Sequence, residues 1–436
     1  MRITRTRSTG TRLLAGVVTA GLLIGLAACG SSNNGGQAAS SATSTSPNGV
    51  DDGAKLTLWT RAPLEKQAKL LVAAYNAAHK NQVELTVVPN DDYVAKVGAA
   101  AGSGGLPDLF AADIVYVPNW VKSGLFQDLT SQIDALKYKD TINKGHLDAG
   151  TMDGKEHVLP FVLDLSMLFW NKDLFKEAGL DPEKAPASLK DFAADAKAIQ
   201  ALNKPGTYGT ATGLNCGGCL VFTWFPSMWA ANKDVMNPAG TQSLLASGTA
   251  QSVYETWRDL WKSGAVLPSS KDEAGPTWTA GFTDGKVGLM MYPATLLSST
   301  TGFDAGVAGI PGPDGGASTF VGGDGIGVSK DSTHSPQAWN FLSWLMSEDA
   351  QVGVLAKDKD VVSRNDLAEN KYTAADPRLV TINKVAGQGR TPVALNFQQA
   401  FNAPSSPWLT LVRDSVLGKG NSLKKNNDEI TAVLSQ

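Results

Sequence analysis

Only three cysteines and four histidines occur in 436 residues, and that scarcity restricts the chemistry at once. A structural zinc site takes four nitrogen or sulfur ligands. Cys216 and Cys219 form a lone Cys-x-x-Cys with no second such pair, and the nearest histidines, His157 and His146, lie about sixty and seventy positions upstream. None of His79, His146, His157 and His334 stands in a His-x-x-Glu-His or nucleophile–base pattern, and no Gly-x-Ser-x-Gly elbow is present. No metal and no cofactor is therefore expected, and an enzyme is disfavoured. A carboxylate pair of the glycosidase kind stays open as a remote alternative, because its separation is spatial and unreadable in sequence. The 38 basic residues are scattered and outnumbered by 41 acidic ones, so there is no nucleic-acid footprint. No internal repeat is visible, and beyond the N-terminus no apolar run is long enough to span a membrane.

What is present begins at the N-terminus: Arg2, Arg5, Arg7 and Arg12, then an apolar run, then Leu26-Ala27-Ala28-Cys29. A charged head, a short apolar run and a small-residue exit make a secretory signal over residues 1–28. With Cys after the small pair, the exit resembles the bacterial lipoprotein box. That resemblance implies a diacylated Cys29 and a lipid tether on the extracytoplasmic face of the bacterial membrane, since two acyl chains suffice for stable anchoring. Residues 29–53 are almost wholly small and polar and read as a flexible leash. With Cys29 so assigned, an even pair remains in a compartment where disulfides persist, and Cys216–Cys219 is expected to be bonded. Gly217-Gly218 favours a tight turn between them, against the helix start of a thioredoxin-type pair, so the bond reads as a structural clip; a redox role or free thiols are the alternatives.

The remaining residues, about 380, are too many for one ordinary core, so two domains are expected. "AKLTLWT" (54–60), "LEKQAKLLVAAYNAAHK" (64–80) and "QVELTVVPN" (82–90) read as strand, helix, strand. That is a βαβ unit, with its ligand edge at the strand C-termini, and the fold class is α/β. "DDYVAKVGAAAGSGG" reads as a helix stopped by glycine, and "LPDLFAAD" as a strand delivering Asp113 to the same edge. "HVLPFVLDLSMLFWNK" is too long and too apolar for one edge strand and reads as a segment crossing between domains. Ser188 and Ser335-Pro336 open further helices.

Four stretches, "LPDLFAADIVYVPNWVKSGLFQDLT" (106–130), "GKEHVLPFVLDLSMLFWNKDLFKEAGLD" (154–181), "GFTDGKVGLMMYPA" (281–294) and "FVGGDGIGVSKDSTHSPQAWNFLSWLMSEDAQ" (320–351), resemble in content and order the extracellular solute-binding proteins of ABC importers, in the carbohydrate-binding branch that includes maltose-binding protein. The resemblance implies a two-lobed periplasmic-binding-protein-like fold with a multi-crossing hinge and an interlobe cleft. Lobe 1 would comprise 54–163 plus about 308–360, and lobe 2 would comprise 164–307 plus about 361–436. It implies capture of a sugar, expected to be a neutral oligosaccharide, by a monomer that delivers it to transmembrane permease subunits. A non-sugar solute such as a glycerophosphodiester or polyamine is the alternative.

Candidate ligand groups follow from chain position together with the resemblance. Trp59 and Arg61 end the first strand. Asp164 interrupts an apolar segment, where an unpaired carboxylate in a dry core costs several kcal/mol, so it must face a wet cleft or a partner. The sequence has eleven Trp, and an indole face suits the apolar face of a pyranose. Trp224 is the leading stacking residue and Trp229 its reserve, with core packing claiming at least one of them. Trp278 and Tyr292 flank a helix–turn–strand unit. The Gly322-Gly323-Asp324-Gly325 stretch offers backbone N–H groups and Asp324 to the cleft, or is merely a tight turn. Arg364 and Trp408 complete the set.

Overall fold

The computed structural model describes residues 47–436. The signal, Cys29 and the first part of the leash lie outside the described residues. Pro47 to Gly53, which composition assigns to the leash, are fastened to the body. The Trp339 indole N–H donates to the Pro47 carbonyl at 2.9 Å, and Asn81 Oδ1 accepts from the backbone N–H groups of Asp52, Gly53 and Ala54 at 3.0–3.2 Å. One asparagine side chain thus collects three otherwise unpaired amide donors, which holds an apolar-poor segment that has no side chains to bury.

The first β strand, β1 (Lys55–Arg61), alternates buried Leu56, Leu58 and Thr60 with the more exposed Lys55, Thr57, Trp59 and Arg61. It runs parallel to both β2 (Gln82–Val88) and β3 (Leu109–Asp113). Helices α1 (Glu65–Ala78) and α2 (Asn90–Ser103) make the connections, and α2 stops at Gly104 as its composition predicts. The right-handed crossover rule then puts the C-termini of β1 and β3, with Arg61 and Asp113, at one edge.

The long apolar segment is a single 13-residue strand, β4 (Leu159–Asn171). Its first half, from Leu159 to Leu165, pairs antiparallel with β8 (Val321–Val328), which itself pairs with β3. Its second half, from Ser166 onward, pairs with β6 (Val287–Pro293) and β7 (Ala305–Ala308), while β5 (Tyr208–Ala211) lies parallel to β6. The result is one eight-stranded mixed sheet of order β2-β1-β3-β8-β4-β6-β5, with β7 also on β4. Asp164 sits where β4 changes partners, opposite Gly322. Burial along β4 is nearly unbroken, and Asp164 is the only interruption.

On the second half of β4 packs α4 (Gly217–Ala230), on β5 and β6 packs α3 (Leu189–Gln200), and behind them lie α5 (Gly248–Lys262) and, late in the chain, α7 (Pro407–Val416). Ser188 caps α3 by accepting from Asp191 N–H, as its sequence implies. Helix α6 (Ser335–Leu345) covers the β1 side, where Trp339, Phe341 and Leu342 join Leu58, Leu71, Phe161 and Ile326 in one core.

Two local readings are corrected. Cys216 and Cys219 are bonded, but Cys-Gly-Gly-Cys does not make a tight turn. It opens α4, with Cys216 as N-cap and its sulfur accepting from the Cys219 N–H at 3.1 Å. Gly217 serves close approach rather than chain reversal, because a Cβ there would meet the Phe401 carbonyl oxygen at 2.3 Å. The Gly322–Gly325 stretch is likewise no turn but the interior of β8. Gly323 has φ +95°, and a Cβ there would stand 2.0 Å from the Val162 carbonyl oxygen.

Candidate functional site

A cavity of about 350 Å3 opens along the partner change in β4. Its wall takes Arg61 from the end of β1, Asp113 from the end of β3, Asp164 from β4, Gly322 and Gly323 from β8, and Gly218, Val221 and Phe222 from α4. Thr295, Asp360 and Asn402 enter from loops and short turns. A second chamber of about 300 Å3 adjoins it and shares Gln67, Leu163, Asp164, Thr295 and Asp360. Asp164 and Asp360 therefore stand at the junction of one continuous cleft.

Arg61 is fixed before any ligand arrives. Its Nε lies 2.9 and 3.0 Å from the two Asp324 carboxylate oxygens, its Nη2 is 2.5 Å from Asp324 and 3.2 Å from Asp113, and Nη1 reaches Asn90 at 3.3 Å. Burial opposes the charge, yet the Asp324 and Asp113 carboxylates outweigh it and hold the guanidinium pKa above its ordinary value. Asp324 is wholly buried behind Arg61. Its expected place in the cleft is corrected accordingly: it anchors Arg61, which lines the cavity, and does not itself face it.

Asp164 meets the opposite circumstance. Among the described residues no side chain hydrogen-bonds or ion-pairs with its carboxyl. Burial pushes it up to about 7, opposed by the charge of Arg61 and by the Leu165 N–H, with Asp113 and Asp360 adding to the rise. Asp360 accepts from the Gln67 amide at 3.0 Å through one oxygen, while its other oxygen is buried without a hydrogen-bond partner. Burial, and behind it the neighbouring Asp358, raise Asp360 to about 6 against that amide. Lys66 is taken by Asp358 at 2.6 Å. Below the floor, His146 is fully buried and kept neutral by that burial, at about 4, with Nε2 2.9 Å from the Gly322 carbonyl. As the donor it holds the glycine strand in place.

The structure brings four of the sequence candidates, Arg61, Asp113, Asp164 and Gly323, to one cavity wall. The tryptophans do not join them. Trp224 is fully buried, stacked on Trp257 with ring centroids 5.1 Å apart. The reason is helical period: Gly218, Val221 and Phe222 occupy one face of α4, and Trp224, two residues beyond Phe222, points roughly 200° away. Trp408 is also fully buried, its indole N–H given to the Gly217 carbonyl at 3.1 Å. Trp229 lies in the same core beside Phe320. Trp278 is buried edge-on against Tyr292 at 4.7 Å, outside the cavity wall. Tyr292 is half-buried nearby, and its hydroxyl is raised by burial and then by the charge of Asp164. Trp59 is half-buried and covered by Lys96 at 4.3 Å. Arg364 lies far along the chain's return, over the Tyr138 ring at 4.0 Å and bonded to Asp366 and the Met346 carbonyl. These seven placements, with Asp324, correct the sequence set: in this cleft the rings belong to phenylalanine. Phe222 faces the cavity with Phe320, ring centroids 5.1 Å apart. Gln67, Thr295, Asp360 and Asn402 were missed, and only the i, i+3, i+4 face of α4 carried a signal that would have named Phe222.

Residues 71–381 match the family of bacterial extracellular solute-binding proteins. Over 344 residues, 77% of this chain and 80% of the relative, the chain is 26% identical to a binding protein of Brucella abortus. Over 445 residues, 98% of this chain and 99% of the relative, it is 25% identical to the diacetylchitobiose binding protein DasA of Streptomyces coelicolor. Among solved structures, the cyclic alpha-maltosyl-1,6-maltose binding protein of Arthrobacter globiformis superposes with a TM-score of 0.75 at 23% identity, covering 88% of this chain and all of that one. The fold is the two-lobed α/β fold of such proteins.

Proposed function

We propose that this chain, which belongs to the bacterial extracellular solute-binding proteins, captures an oligosaccharide outside the cell and delivers it to the permease of an ABC importer. The observation that carries the reading is the cavity at the partner change of β4. It sets a fixed cation, several carboxyls and a phenylalanine pair around a space of about 350 Å3, within the size range of small-molecule sites. Sugar hydroxyls are well solvated, so affinity requires that each finds a partner while the apolar ring face is covered. Asp113 and Asp164 accept from hydroxyls, Arg61, Gln67 and Asn402 donate, and Phe222 covers the ring. Two relatives named for sugar ligands support this choice of solute.

In the same reading, lobe 1 comprises 54–163 with about 308–360, lobe 2 comprises 164–307 with about 361–436, and β4 is one of the hinge crossings. Closure presents the permease with a shape populated mainly when ligand is bound, which gives a passive binder its direction. Cys29 carries the lipid that keeps the monomer at the outer face of the membrane. Calorimetric titration against a panel of oligosaccharides, with scattering to follow compaction, tests the proposal. A sugar that binds and shrinks the radius of gyration supports it. Binding confined to glycerophosphocholine or spermidine would overturn it.

A further inference from the structure

The charge lining the cleft is unbalanced. Of the charged side chains facing the larger chamber, Arg61 is the single cation against Asp113, Asp164 and Asp360. That one guanidinium is already shared between Asp324 and Asp113; its charge acts on Asp164, but it hydrogen-bonds neither Asp164 nor Asp360. In the adjoining chamber Lys66 is held by Asp358, and Arg378 is held by Asp376 at 2.8 Å and Asp304 at 3.5 Å. Lys359 stands exposed at the mouth, where the group it acts on is Asp376. Asp164 and Asp360 are left together at the junction of the chambers, one with no side-chain partner and the other held by the Gln67 amide and crowded by the Asp358 carboxyl, with no cation hydrogen-bonded to either.

Two carboxyls facing one small cavity repel when ionised, and a neutral hydroxyl donor relieves only part of that repulsion. A full positive charge between them relieves it entirely and forms charge-assisted hydrogen bonds with both. The Phe222 and Phe320 rings line the same cavity and supply the apolar surface a pyranose needs, which a bare cation would leave uncovered. Resting on the sugar reading above, we propose that the preferred ligand is an amino sugar, an oligosaccharide carrying a free protonated amine that lies between Asp164 and Asp360 while a pyranose ring covers Phe222.

The test uses three matched probes: the β-1,4-linked glucosamine trisaccharide, its fully N-acetylated form, and cellotriose, which carries hydroxyls at the same positions. Spermidine supplies a cation without a ring. In calorimetric titrations at neutral pH and physiological salt, the glucosamine trisaccharide should bind at least about tenfold more tightly than either neutral counterpart, as one charge-assisted bond predicts. Asp360→Asn should bring the three within about threefold of one another by removing one of the two charges that hold the amine. Asp164→Asn should do the same, and thermal melting of both variants verifies the fold. Equal or tighter binding of a neutral trisaccharide overturns the amino-sugar inference and leaves the sugar reading standing. Binding of spermidine alone, or of nothing in the panel, overturns both.

Discussion

Replacing Asp164 with Asn should stabilise the unliganded protein while weakening its grip on sugar, and the two effects separate by pH. The Asp164 carboxyl is raised from its ordinary 3.8 to about 7, chiefly by burial. A displacement of that size corresponds to about 4 kcal/mol against the ionised form if nothing screens it. The side chain is half-buried at the wall of a cavity open to solvent, so about 2 kcal/mol is the working figure. The sign follows from linkage. A folded-state pKa above the unfolded value means that the unfolded chain releases the proton first, so stability present below pH 4 is lost as pH rises through 7. Arg61, Asp113 and Asp360 act on the same carboxyl, so Asp164→Asn also eases the rise at Asp360, whereas Asp195, raised to about 6 by burial and then by Asp191, slopes both curves alike. The difference between the curves therefore reports position 164 together with its coupling to Asp360. Urea unfolding of parent and Asp164→Asn from pH 4 to pH 8 should show a gap near zero at pH 4, where acid and amide are nearly isosteric and both neutral, widening to about 2 kcal/mol at pH 8. Parallel curves, or a variant that is less stable at pH 8, would refute the argument that this acid is uncompensated.

Trp224→Ala should cost about 3–5 kcal/mol of stability, because it empties a fully buried site against Trp257. Phe222→Ala should instead weaken sugar binding by about 1–3 kcal/mol, on the scale of ring stacking, with a smaller effect on unfolding; denaturant and calorimetric titrations of the pair distinguish core from cleft. Arg61→Leu leaves Asp324 buried without its cation and should cost about 3–5 kcal/mol, of which Arg61→Leu with Asp324→Leu recovers more than half in the same urea assay. Gly323→Ala forces a Cβ to 2.0 Å from the Val162 carbonyl at φ +95° and should destabilise by at least about 2 kcal/mol, read as a lowered thermal midpoint.

Periodicity made β1 and α1 legible, because each buries one face and its polar residues fall at the matching spacing, whereas β3 is a short run buried on both faces and was read from its apolar run instead. Asp164 was legible for a different reason: a charge inside an apolar strand has few places to go. What failed was residue type used without direction. Tryptophan was sought for its ring, but the helix turns Trp224 inward and Phe222 outward, and only the 3.6-residue period distinguishes them. Asp324 and Arg61 were both named, and their relation was hidden, since their separation of 263 positions is bridged by β8 pairing with β3 and β3 with β1. Asp360 and Gln67, 293 positions apart, meet because the helical turns before Asp360 pack on α1. Glycine misled at Gly217, read as a turn, and the turn offered as an alternative at Gly323 also failed: each instead admits a backbone carbonyl at close range.

The partner change in β4 ties these observations to ligand capture. A strand that hydrogen-bonds β8 up to Leu165 and β6 from Ser166 onward transmits displacement of either half through two or three residues, and Asp164 is the residue beside that junction which faces the cavity. Its unmet charge destabilises the empty cleft in the arrangement that brings Asp113 and Asp360 toward it. A ligand that donates to Asp164 removes the cost in that arrangement only, and a ligand shifts an equilibrium by no more than its difference in affinity for the two states. On the proposed function, the same carboxyl would supply specificity, through the donor it demands, and the bias toward closure, through the repulsion that the donor cancels. Asp164→Asn should accordingly lower affinity and also reduce the change in radius of gyration at saturating sugar, because the empty variant already populates the compact form.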